Sequence, residues 1–96
     1  MVRYEVKPDA LAENEALVRS VFDELGATRP SWLRYATFAL EDDVSFVHLA
    51  EFDPEQGELR DVEAFRRFRE GLADRTVAPL VNTPMRRVGS YRVLDA

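Results

Sequence analysis

The stretch WLRYATFALEDDVSFVHLAEF, Trp32 to Phe52, decides the fold. It contains two runs rich in aromatic and β-branched residues, Trp32–Leu40 and Val44–Phe52, separated by the acidic triplet Glu41-Asp42-Asp43. Such runs on either side of a short polar turn read as a β-hairpin. The turn leaves two registers open. A two-residue turn at Asp42-Asp43 makes the numbers of facing residues sum to 85, which sets Thr37 opposite His48, with Tyr35 and Ala39 nearby, and Arg34 opposite Glu51. A three-residue turn makes the sum 84 and puts Ala36 there instead, flanked by Arg34 and Phe38, so one step of slippage changes every neighbour of the histidine.

Upstream of the hairpin, Val2, Tyr4 and Val6 alternate with Arg3, Glu5 and Lys7, the two-residue period of a strand with one apolar and one charged face. Pro8 ends it, and Asp9 is placed to cap a helix from about Ala10 to Leu25 that Gly26 stops. The apolar stripe of that helix is Leu11, Leu17, Val18, Val21, Phe22 and Leu25. Downstream, the polar loop DPEQGE (Asp53–Glu58) leads to a second helix, roughly Arg60–Arg75, with the stripe Val62, Phe65, Phe68 and Leu72. Pro79 and Pro84 bracket a loop, and RRVGSYRVL (Arg86–Leu94) reads as the last strand.

The order β-α-β-β-α-β is that of the α+β ferredoxin-like fold, a four-stranded antiparallel sheet with two helices on one face. Right-handed crossovers place the first and third strands side by side at its centre. With 96 residues and 46% hydrophobic content, residues 1–96 form a single domain. Two helices cover one face of the sheet only. The other face, carrying Leu33 or Trp32, hairpin aromatics and part of the last strand, is expected to meet a second copy of the chain or to border a pocket.

Composition excludes several function classes. Without cysteine there is no disulfide framework and no thiolate chemistry. The single histidine and the acidic clusters lack the ligand spacing of a metal site, and among four glycines no phosphate-cradling motif occurs. No flavin or metal site is evident, so no cofactor is expected. The net charge of −5 is concentrated in Glu41–Glu63, which holds nine acidic residues against Arg60 and opposes nucleic acid. The N-terminus has no apolar leader and no run is long enough for a membrane span, so a cytoplasmic location is expected.

Candidate site residues centre on His48. An imidazole titrating near neutrality can act as a general base toward an acidic carbon or phenol. The plainer role is a buried neutral histidine hydrogen-bonded to Thr37, Tyr35 or the backbone, and it weighs more because no base-orienting carboxylate accompanies His48. Tyr4, Tyr35 and Tyr91 offer hydroxyl groups, while Trp32 and Phe46 offer aromatic surface to a ligand. Core or interface packing is the commoner fate of such residues on strands.

With the elements placed, the segments RYEVKP (3–8), LRYATFALEDDVSFVHLAEFD (33–53) and EAFRRFREGLADR (63–75) resemble the dimeric α/β-barrel superfamily, in particular its antibiotic-biosynthesis monooxygenase-like domains. The resemblance covers nearly the whole chain and rests on length, element order and pattern. It implies a homodimer of facing sheets, a pocket for a small aromatic or polyketide-like molecule, and cofactor-independent oxygenation, with His48 as base and Tyr35 or Trp32 orienting the substrate. The characterised oxygenases' catalytic Asn, Trp and His or Tyr do not map onto this chain motif by motif. The competing expectation is a non-catalytic dimerisation or small-ligand-binding module.

Overall fold

The computed structural model describes residues 1–92. The chain forms β1 (Val2–Glu5), a 3-10 turn (Pro8–Ala10), α1 (Leu11–Thr28), β2 (Leu33–Ala39), β3 (Ser45–Phe52), a second 3-10 turn (Leu59–Asp61), α2 (Glu63–Arg69), α3 (Leu72–Arg75) and β4 (Val81–Asn82). The strands build one antiparallel sheet in the order β2-β3-β1-β4, with β1 and β3 central as the crossover rule requires. This is an α+β architecture consistent with the ferredoxin-like arrangement.

The hairpin adopts the register whose facing residues sum to 85: Thr37 faces His48 and Arg34 faces Glu51. It does so with a wider loop than a two-residue turn. Leu40 N–H donates to Ser45 O (2.8 Å), and the Asp42 carboxylate accepts from the amides of Val44 and Ser45 and from the Ser45 hydroxyl. Asp43 takes the left-handed conformation (φ 63°) that an aspartate tolerates better than most residues. The acidic triplet thus selects the register through the Asp42 carboxylate, a side chain mimicking a turn of backbone.

Because side chains alternate along a strand, this register sends Tyr4, Tyr35, Thr37, Phe46 and His48 to the helix-covered face, and Arg3, Arg34, Ala36, Phe38, Val47, Leu49 and Glu51 to the other. Leu33, paired with Phe52, belongs to the helix side, which leaves Trp32 rather than Leu33 for the outer side. The core is Tyr4, Val6, Val21, Phe46, Ala64, Phe68 and Leu72, where the first helix's stripe and the second's meet β1 and β3.

Three boundaries differ from the sequence expectation. Asp9 makes no cap; Pro8–Ala10 wind as a 3-10 turn and α1 runs through Gly26 to Thr28, ending where Arg29 turns left-handed (φ 49°) and donates its amide to Leu25 O. The second helix breaks in two, since Glu70 is extended and Gly71 sits at φ 71°, a conformation glycine adopts without penalty. Most consequential, β4 is Val81–Asn82 between the two prolines, not the Arg86–Leu94 stretch. The free edge of β1 is already filled: Lys7 N–H donates to Arg75 O, Val77 N–H to Glu5 O, and Thr83 N–H to Met1 O. No edge of β1 remains for the more β-prone segment that follows. Residues 83–90 are irregular and exposed, and residues 93–94 of the expected strand lie outside the described residues.

Candidate functional site

The hairpin register and the antiparallel pairing of β1 with β3 converge on His48 from both sides. Val2 and Thr37 are its lateral neighbours, while Tyr4, one pleat along β1, reaches it diagonally. Tyr4 Oη lies 2.7 Å from His48 Nε2; Tyr35 Oη lies 2.6 Å and Thr37 Oγ1 3.1 Å from His48 Nδ1. Phe68 of α2 tilts over the imidazole with ring centroids 5.2 Å apart. The side chain is buried, 5% exposed, yet no buried side-chain nitrogen or oxygen among the described residues lacks a hydrogen-bond partner.

The cluster continues beneath the helices. Asn14 of α1, fully buried, donates from Nδ2 to Tyr4 Oη (3.2 Å) and accepts on Oδ1 from Arg75 Nε (3.2 Å). Arg75 is itself 4% exposed and donates to the carbonyls of Phe68 (2.7 Å) and Glu70 (3.1 Å), where α2 ends, with its guanidinium 5.4 Å from the Phe68 ring centroid. A buried cation is thereby satisfied at a helix C-terminus, where the orphan carbonyls carry partial negative charge.

Burial governs the titration of all three central groups. It pulls His48 down to about 4, so the imidazole is uncharged at neutral pH. It pushes Tyr4 up to about 12 against the opposing effects of the Asn14 hydrogen bond and the Arg75 charge. It also raises Tyr35 far above the ordinary tyrosine value, opposed by a hydrogen bond with Thr37.

Tyr35 and His48 form the floor of a cleft of about 1150 Å³. Phe65, Phe68 and Arg69 of α2 wall one side with Leu59, Met1 and Val2 lie at the β1 end, and Pro84–Tyr91 form the far wall. The lining is mainly apolar, and the volume is at or above the upper end of the range for small-molecule sites. The far wall is an extended arm with Val88 87% and Tyr91 79% exposed, anchored to the body by Arg87 donating to Glu51 (2.8 Å).

Of the residues singled out from the sequence, His48, Tyr35 and Thr37 come together and Tyr91 lies on the cleft's rim. Phe46 does not line the cleft; it is a core residue stacked on Tyr4, centroids 5.7 Å apart. Trp32 does not line it either. Its ring covers Gly57, where a Cβ would lie 2.7 Å from the indole, and it borders a separate, mainly polar hollow of about 310 Å³ with Arg34, Glu51, Asp53, Gln56 and Arg87. Asn14 and Arg75 were not singled out. Their signal was present, since position 14 falls at 11+3 and 18−4 within the first helix's stripe and position 75 at 72+3 within the second's, so each is a polar residue on an apolar face.

Among the described residues no group of His, Cys, Asp or Glu side chains is arranged to hold a metal ion. No helix among them is long and apolar enough to cross a membrane. No protein-family model, curated protein or solved structure matches the chain.

Proposed function

We propose that the protein binds a small, flat, largely apolar molecule in the cleft between α2, the outer end of β3 and the 84–91 arm, and that it does so as a homodimer. The observation that carries this reading is the ligand-sized cleft whose floor places the Tyr35 and His48 polar atoms against an apolar lining. Sites for small molecules combine these two features, a greasy enclosure and a few fixed polar groups. The homodimer is supported by the outer sheet face, where half-exposed Phe38 and the apolar Ala36, Val47 and Leu49 are bordered by Arg3, Arg34 and Glu51. The test of binding is an NMR titration of the labelled protein with bicyclic aromatic probes. Shifts confined to His48, Phe65, Phe68 and the 84–91 arm support the reading, and uniform or absent shifts across a broad probe set overturn it.

Cofactor-independent oxygenation, implied by the family resemblance, is a second reading. One observation favours it: the cleft-floor imidazole is uncharged at neutral pH and so able to accept a proton. Against it, both ring nitrogens are already engaged and burial keeps the imidazole weakly basic. Oxygen uptake in the presence of a bound aromatic, lost in His48→Gln, establishes this chemistry. Its absence with every probe that binds leaves a binding module.

A further inference from the structure

We infer that the polar chain Arg75–Asn14–Tyr4–His48–Tyr35 runs in one direction, fixed at its arginine end, and presents a hydroxyl donor to the cleft, so that the ligand is an aromatic molecule bearing a hydrogen-bond acceptor such as a ketone, quinone or carboxylate oxygen. The ligand half of this inference rests on the binding function proposed above; the direction of the chain does not.

The direction follows from counting hydrogens. Arginine can only donate, so the atom of Asn14 facing Arg75 Nε must be its oxygen, and its NH2 must face Tyr4. Tyr4 Oη therefore accepts from Asn14. Its own hydrogen then has one acceptor within reach, His48 Nε2 at 2.7 Å, and a hydroxyl hydrogen left without a partner at a 4%-exposed site is costly. With Nε2 accepting, the neutral imidazole carries its proton on Nδ1. That proton is donated to Tyr35 Oη at 2.6 Å, with Thr37 Oγ1 at 3.1 Å a weaker second acceptor.

With Nδ1 protonated and donating to Tyr35 Oη, it has no free lone pair, so neither the Tyr35 nor the Thr37 hydroxyl hydrogen can point at it and both turn away from the imidazole. Tyr35 lines the cleft and Thr37 does not, so an acceptor in the cleft draws the Tyr35 hydrogen. Were the chain reversed, Tyr35 would spend its hydrogen on Nδ1 and offer the cleft a lone pair, selecting phenols and amines instead. A charge buried two side chains from the histidine thus sets which class of ligand the cleft accepts.

His48 is the only histidine, so its ring nitrogens give one unambiguous signal set in a long-range proton–nitrogen spectrum of the 15N-histidine protein at pH 7. The expected result is a protonated Nδ1 and an unprotonated Nε2; the opposite tautomer overturns the inference on the unmodified protein. Asn14→Asp replaces the amide donor by an acceptor facing Tyr4, and should switch the histidine to the Nε2–H tautomer. Retention of Nδ1–H in a folded Asn14→Asp variant would mean that the arginine end does not set the direction. For the ligand class, 1-indanone should bind roughly three- to tenfold more tightly than indane, the worth of one net hydrogen bond, and Tyr35→Phe should erase the difference. Equal affinities of the two probes overturn the acceptor assignment. If neither binds, the binding function itself fails, and the tautomer still judges the direction.

Discussion

His48 is held neutral by burial, and this ties stability to acid in a definite direction. Its folded-state value of about 4 lies below the ordinary 6.5, so the unfolded chain takes up a proton that the folded chain refuses. The contribution is complete well above pH 6.5 and is lost as pH falls toward 4, a loss of about 2–3 kcal/mol between pH 7 and 4.5. Urea midpoints at those two pH values measure the loss, and in His48→Gln the part due to this side chain should vanish, leaving a shallower decline from the carboxylates. Gly57 supplies a second prediction. A methyl group there would meet the Trp32 indole at 2.7 Å, so Gly57→Ala should destabilise by about 1–3 kcal/mol, with a shifted tryptophan emission reporting the displaced ring. Neither effect could be assigned from sequence. His48 was legible as a strand residue with Thr37 and Tyr35 as possible partners, but Tyr4, Asn14 and Arg75 join it only because β1 and two helices converge there.

Among the elements, α2 depends on a residue far away in the chain. Its first turn carries no cap of its own; instead the Glu24 carboxylate of α1 accepts from the amides of Glu63 (3.1 Å) and Ala64 (3.0 Å). Glu24→Ala should therefore cost about 1–2 kcal/mol, the usual worth of a helix cap, and Glu24→Gln should recover part of it; thermal unfolding of both variants checks this. Nothing in the local pattern of α1 singles out Glu24, and only the packing of one helix against the other gives its carboxylate a structural task. The same limit explains β4. Arg86–Leu94 has the stronger strand pattern, but a strand needs an edge to pair with, and the residues immediately after α3 reach the edge of β1 first.

At the scale of the molecule, the sheet has one face under helices and one without such cover, and the cleft has one wall built by α2 and another built by the exposed 84–91 arm. A homodimer should appear in light scattering as twice 11.0 kDa at micromolar concentration, and a stable monomer there refutes it. Truncation after Thr83 removes only exposed chain among the described residues, so it should change stability by no more than about 0.5 kcal/mol. The same truncation removes the cleft's far wall and should weaken probe binding at least several-fold; unchanged binding would place the ligand elsewhere.

What the sequence determined is what periodicity encodes: alternation of two for the strands, three-to-four spacing for the helices, and hence an α+β chain with β1 and β3 central. It also narrowed the hairpin to two registers. The tertiary structure decided the rest, because each remaining question concerned competition between distant segments. The Asp42 carboxylate chose the register, the occupied edge of β1 displaced the last strand, and two polar residues on apolar helical faces met behind Tyr4, the partner of His48. Local pattern carries information about which side of an element is apolar; it carries none about which other element arrives there first.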